Sequence, residues 1–257
     1  MSRPRVDLLA APAGADRMVL LAHGGQEHSF DDPHDWRTAL LRMWSLAAAA
    51  RSAAPDAAVG LVRYRYRGWN GAQAHAAADL RTLLDAVPAT VTQIALVGHS
   101  MGGRAVLRVA DGARVCGVLA LAPWLPESDP LVELPDRVVV LAHGELDRIT
   151  SPALTARYAG LLRAAGHQIA HLAAVGETHA LLRRHGDWDE LVRQFVGRSF
   201  GTGGDDLIGS VGDDPGRAAD PLPRWSASRG TARAVASIAR ARLRLPVKQH
   251  VLVGDQA

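Results

Sequence analysis

Three polar residues lying far apart in the chain, Ser100, Asp147 and His179, have the types that nucleophilic catalysis needs. A serine hydroxyl is a poor nucleophile at neutral pH unless a base within hydrogen-bond reach takes its proton. Imidazole suits that role, because an ordinary pKa of about 6.5 lets it accept and return a proton near pH 7. A carboxylate then fixes the tautomer of the imidazole and steadies the imidazolium. Charge developing on a substrate oxygen needs preorganised donors, each worth about 2.7–4 kcal/mol. The glycine-rich stop His23-Gly24-Gly25 leaves backbone N–H groups for that purpose.

Each of these residues needs an element to hold it, and the pattern supplies one. Ser100 is the centre of Gly98-His99-Ser100-Met101-Gly102. Before it runs Gln93-Ile94-Ala95-Leu96-Val97, an apolar stretch of the kind found in strands buried on both faces. After it, Gly102, Ala105, Val106, Val109 and Ala110 recur at helical spacing, with Arg104, Arg108 and Asp111 on the other face. The order predicts strand, sharp turn and helix, with Ser100 strained at the helix N-terminus. Glycine two before and two after the serine removes side chains that would collide in so tight a turn. The other motifs also follow buried-strand candidates. Residues 18–22 lead into His23-Gly24-Gly25, residues 138–142 into His143-Gly144-Glu145-Leu146-Asp147, and residues 169–175 into Gly176-Glu177-Thr178-His179. All are thereby expected on the carboxyl edge of a parallel sheet, where open α/β sheets place ligands.

In order and setting, these motifs resemble the α/β-hydrolase superfamily over residues 6–199, within it the lidless serine esterases and dienelactone-hydrolase-like enzymes. The residues carrying the resemblance are His23-Gly24-Gly25, Arg67-Gly68-Trp69-Asn70-Gly71 after the fourth strand, the Gly98–Gly103 elbow, His143-Gly144 through Asp147, and Gly176 through His179. The resemblance implies a mostly parallel, doubly wound sheet with helices on both faces. It implies Ser100 as nucleophile, His179 as base and then acid, and Asp147 as the orienting carboxylate. By the same resemblance the oxyanion donors are the backbone N–H groups of Met101 and Gly25, with Gln26 as the fallback for the second. The implied activity is hydrolysis of a carboxylic ester, a lactone or a thioester through an acyl-serine. An amidase or peptidase with the same triad, and a binding protein that has kept the fold, are the alternatives.

Rivals exist at several positions. Glu145 and Asp136 flank the strand before Asp147, but Asp147 matches the family's spacing after His-Gly. His167, His171 and His185 lie near His179; His171 falls inside a strand candidate and His185 in the following helix. For His23, His99 and His143 the expected role is a strand-end imidazole bonded to nearby backbone. His28, Asp31, Asp32, His34 and Asp35 invite a metal reading, yet no pair has the helical or short-loop spacing of a dedicated zinc site. A solvated loop capping a helix from Trp36, through Asp35 or Asp32, is the better account. No metal and no cofactor is expected.

Residues 125–137, between the strand after the elbow helix and the next one, contain three prolines and cannot build a lid domain. An open site is expected. Trp124 stands where that strand meets the loop and is a candidate wall of a substrate pocket, with core packing as the alternative. Arg67 and Arg104 lie near the same edge; surface placement is favoured over holding a substrate anion.

A chain of 257 residues with 48% hydrophobic content can bury one substantial core. Cys116 is its single cysteine, so no internal disulfide is possible, and it is expected to be buried and inert. The apolar stretch near the N-terminus is too short and interrupted for a signal peptide, and the expected setting is cytoplasmic. Lys248 is the only lysine among many arginines. After Phe200 the composition changes. Residues 1–200 read as the catalytic domain, 201–230 as a flexible linker rich in Gly, Asp, Pro and Ser, and 231–257 as a basic tail with a possible helix over 231–245. The expected partner is a small-molecule substrate, without stable nucleic-acid or membrane binding, although the basic stretch 231–248 is a candidate to dock on an anionic surface.

Overall fold

Runs of Val, Leu, Ile and Ala buried on both faces build the centre of the sheet. The structure, a computed structural model, describes residues 3–33, 38–134, 136–203, 214–227 and 230–252. Its strands are β1 (Arg5–Ala10), β2 (Arg17–Ala22), β3 (Ala58–Arg63), β4 (Gln93–His99), β5 (Val115–Leu121), β6 (Val138–Gly144), β7 (Ile169–Ala174), β8 (Asp220–Pro221) and β9 (Gln249–Leu252). The helices are α1 (Thr38–Ala53), α2 (His75–Ala86), α3 (Met101–Arg108), α4 (Pro152–Ala164), α5 (His185–Ser199) and α6 (Thr231–Arg244). They form one sheet in the order β8-β7-β6-β5-β4-β2-β3-β1-β9. From β3 to β8 neighbouring strands are parallel, while β1 pairs antiparallel with both β3 and β9.

Alternation along the strands divides the apolar side chains between two cores. Val19, Leu21, Val97, Leu119 and Val140 face the layer of α1 and α5. Met18, Leu20, Leu96, Val118 and Leu141 face the layer of α2, α3 and α4. Both faces are covered, as an apolar parallel sheet requires. The strand order reverses between β2 and β4, whose register sets Ala22 opposite Gly98. The turns that leave these two strands therefore open side by side into the switch-point crevice.

Three details differ from expectation. The Arg67–Gly71 turn follows the third strand of the chain, β3. The elbow helix ends at Arg108, and Arg104 is buried instead of lying on an outer face. The segment after residue 200 is tied into the domain wherever it is described. Arg184 donates to the carbonyls of Leu222 and Pro223, and Ser226 N–H donates to Asp187. Helix α6 lies on α1 with Ala234 and Ala241 buried, and β9 covers the edge of β1. The anchors are hydrogen bonds between side chains and backbone, small alanines, and scattered apolar residues such as Leu222, Trp225, Ile238 and Leu245, too widely spaced among polar ones to give a clear apolar period. Residues 204–213 and 228–229 of the expected linker, and residues 253–257 of the expected tail, lie outside the described residues, as do His34, Asp35 and Trp36 of the capping loop.

Candidate active site

The elbow is built by steric necessity. A Cβ on Gly98 would meet the carbonyl oxygen of Gly102 at 2.3 Å, and one on Gly102 would meet that of Ala22 at 2.1 Å. Between them Ser100 has φ 57° and ψ −120°, a conformation that costs about 1–3 kcal/mol and persists because its surroundings dictate it. Ser100 N–H donates to Leu121 O, and Ser100 O accepts from Trp124 N–H, so the turn is sewn to the end of β5.

Ser100, His179 and Asp147 come together on the carboxyl edge. Ser100 Oγ lies 3.0 Å from His179 Nε2, and His179 Nδ1 lies 2.7 Å from Asp147 Oδ2. Asp147 also accepts from His143 Nε2 (3.1 Å), Thr150 Oγ1 (2.9 Å) and the backbone N–H groups of Ile149 and Thr150. Burial works against its ionisation. The bonds from His143, His179, Thr150 and Ile149 outweigh it and hold the carboxyl well below the usual carboxylate range. Glu145, the rival acid, instead accepts from Gly176 N–H.

The histidine is held from behind. His99 Nε2–H donates to the carbonyl of His179 at 2.9 Å, with the two rings 4.8 Å apart. Burial, together with the neighbouring His179, pushes the His99 imidazole down to about 3, so it is a neutral donor. Glu177 is fully buried and accepts from Thr178 N–H (2.7 Å), Arg184 N–H (2.7 Å) and Trp188 Nε1 (3.2 Å), fixing the turn on both sides of His179. His143, His99, Thr150 and Glu177 thus support the three candidates, and none was singled out for that from the sequence.

Gly24 and Gly25 face the elbow. A Cβ on Gly24 would lie 3.2 Å from Ser100 Cβ, and one on Gly25 would strike Arg67 O at 2.3 Å and Met101 Cε at 2.4 Å. Gln26 N–H, the fallback oxyanion donor, donates to Arg67 O. Trp124 does not line the cavity at Ser100. Its ring and that of Trp69 meet nearly at right angles, and the Arg104 guanidinium sits in their corner, 4.7 and 3.9 Å from the two ring centres and paired with the buried Asp129. Arg67 is half-buried, 3.7 Å from Asp31. Among the described residues no group of three or more His, Cys, Asp or Glu is arranged to hold a metal ion, and no helix is long and apolar enough to cross a membrane.

The sequence profile of the alpha/beta hydrolase family matches residues 19–255. The chain belongs to that family. Among solved structures, this alpha/beta hydrolase is similar to a serine hydrolase homologue from Coxiella burnetii, at 17% identity and TM-score 0.56 over 76% of this chain and 91% of that one. Esterase PE8 is similar at 16% identity and TM-score 0.57, over 77% and 99%. XC6422 from Xanthomonas campestris, a serine hydrolase without lid, is similar at 19% and 0.51, over 77% and 88%. At such identities the likeness is one of fold. No curated protein matches the sequence. In this alpha/beta hydrolase, as in the third of those structures, no lid is inserted: the 125–137 connection carries no helix in its described residues.

Proposed function

We propose that the chain is a serine hydrolase that cleaves a carboxylic ester, lactones and thioesters included, through an acyl-serine intermediate. The observation that carries the reading is the hydrogen-bonded line from Ser100 Oγ through both nitrogens of His179 to Asp147. Ser100 Oγ attacks the substrate carbonyl carbon while its proton passes to His179 Nε2. The backbone N–H groups of Met101 and Gly25 hold the oxyanion. The intermediate collapses, the leaving alcohol takes the proton from His179, and Ser100 is left acylated. Water then gives its proton to His179, attacks the acyl carbon and releases the acid, returning the proton to Ser100. Asp147, ionised across the working range, steadies the imidazolium at each stage. The substrate is a small molecule, since the cavity at Ser100 is about 410 Å³, toward the lower end of ligand pockets.

A fluorophosphonate probe tests the nucleophile: the wild type should be labelled and Ser100→Ala should not. Labelling that survives the substitution moves the nucleophile elsewhere, and a folded wild type that takes no label favours a binding protein. A panel of esters, amides and thioesters then ranks the leaving groups.

A further inference from the structure

The cavity above Ser100 has a wall that the three-residue line does not explain. On one side lie Gly24, Gly25, Ser100 and His179; on the other, α1 contributes Ala39 and Leu41, and α6 contributes Val235 and Ile238. We infer that α6 is the selectivity wall of the site, with Val235 and Ile238 binding a compact hydrocarbon group of the substrate against α1. This rests on the hydrolase reading for its assay, not for its pocket.

The lining is apolar where it faces away from Ser100. Val235 is 56% exposed and Ile149, across the mouth, 75%. Covering such rim side chains with a substrate hydrocarbon removes apolar surface from water, which is worth about fourfold in affinity per buried methylene. The one full charge among the lining residues away from the histidine is Arg42. It is buried and directed into the fold: it donates to Leu181 O and Ser45 Oγ and lies 3.8 Å from Asp189, leaving only its Nε without a hydrogen-bond partner. The cavity therefore favours hydrocarbon over a substrate anion.

Helix α6 is placed firmly enough to select. At its start Gly230 N–H donates to Arg183 O, four residues beyond His179. At its end Trp44 Nε1, from α1, donates to Leu245 O. Between these ties Ala234 and Ala241, seven apart and so on one face, are buried and allow the helix close to α1. Val235 and Ile238 are thereby held over the same mouth as the histidine loop.

The experiment measures kcat/KM for p-nitrophenyl hexanoate and acetate. Val235→Trp should lower the hexanoate-to-acetate ratio at least tenfold by filling the cavity, and Ile238→Ala should raise it. Leu243→Ala, on the same helix but outside this cavity, should leave the ratio at the wild-type value. An equal loss on both esters in Val235→Trp, or a shift in Leu243→Ala matching that of Val235→Trp, overturns the wall. So does faster turnover of an ester ending in a carboxylate than of its hydrocarbon isostere, which would assign selection to Arg42. A readout independent of turnover is calorimetric binding of dialkyl ketones to Ser100→Ala protein, where affinity should rise with chain length and lose that rise when Val235→Trp is added. If the wild type hydrolyses nothing, the hydrolase reading falls and the ketone series alone decides. Chain-length dependence lost in the double variant upholds the wall, and indifference to chain length or to Val235→Trp overturns it.

Discussion

The two sides of the cavity are held by different forces. Around Ser100, polar atoms face polar atoms at hydrogen-bond distance: Asp147 alone accepts from His143, His179, Thr150 and the Ile149 backbone. Such a network is buried, charged and cooperative, so removing one member leaves the others unsatisfied. Across the mouth, α6 is held by buried Ala234 and Ala241, by Ile238 and Leu245 against the core, by Arg242 over Trp44 and by a tie at each end, and it offers the cavity only hydrocarbon. The first arrangement suits chemistry, which needs atoms held to fractions of an ångström. The second suits selection, where energies accrue with area and tolerate small shifts. The contrast implies that changes on the Ser100 side alter rate by orders of magnitude, whereas changes on the α6 side alter which substrate is taken.

The largest expected effect tests the first half. Ser100→Ala and His179→Ala should each reduce kcat on a small ester by about 10⁴–10⁶-fold, and the double variant should be little worse than either. Asp147→Asn should cost about 10⁴-fold, because it offers the imidazole the wrong tautomer. Losses that multiply in the double variant would show that the residues do not act as a unit. Rescue of Asp147→Asn by Glu145, detected as activity abolished on adding Glu145→Gln, would reassign the acid.

Next in size is the effect at the proposed oxyanion loop. Gly25→Ala places a methyl group at 2.3 Å from Arg67 O and 2.4 Å from Met101 Cε, so the loop must move. Losing one donor costs about 10²–10³-fold in kcat with little change in KM. A rise in KM alone would mean that Gly25 binds the ground state rather than the developing oxyanion.

These predictions concern residues whose convergence on one edge of the sheet was legible in the sequence, and the reason is physical. An elbow is a local device: glycine at 98 and 102 is demanded by contacts among atoms of the turn and of Ala22, so its requirement is written in five consecutive letters. The strands were equally legible, since runs such as Ile94-Ala95-Leu96-Val97 are buried on both faces and need no partner to be recognised. Arg104 was misread because its charge suggested an outer face, while Trp69, Trp124 and Asp129, remote in sequence, make an interior site for it. The support from His99 was hidden for the same reason, since the carbonyl it bonds belongs to His179; His143 and Glu177 act close in sequence, on Asp147 and on the turn around His179, through side-chain burial that composition does not reveal. The α6 wall was least legible. Its packing on α1 rests on two small alanines and on partly buried Ile238 and Leu245 interleaved with arginines, a mixture that reads as a solvated basic helix.

A smaller effect separates the core from the chemistry. Burial pushes His99 down to about 3 and His171 down to about 4 from an ordinary 6.5. Below about pH 6.5 the unfolded chain takes up protons at these imidazoles that the folded chain refuses, so acid favours unfolding. At pH 5 each should cost about 2 kcal/mol relative to pH 7. Asp147 works in the same sense in a lower window, its depressed carboxyl contributing stability above the ordinary aspartate value near 3.9 and losing it as pH falls below that value. Urea unfolding at pH 7 and 5 should show the loss, and His171→Asn should reduce it by about 2 kcal/mol. An unchanged pH slope in that variant would mean that His171 is protonated in the folded state.

The smallest expected effect falls where the two regions touch. Trp44 is buried on α1, donates from Nε1 to Leu245 O at the end of α6, and lies under the Arg242 guanidinium at 5.3 Å. Trp44→Phe keeps most of the apolar area and removes one hydrogen bond, a loss of about 1 kcal/mol in stability. The untied end gives α6 more freedom, so the hexanoate-to-acetate ratio should shift by about twofold, well under the change expected from Val235→Trp. The acetate rate itself should stay near wild type, because Trp44 has no bond to Ser100, His179 or Asp147. A fall in acetate rate as large as the shift in ratio would show that α6 also positions the histidine loop through Gly230 and Arg183. Chemistry and selection would then share one frame, and the division drawn between the two sides of the cavity would fail.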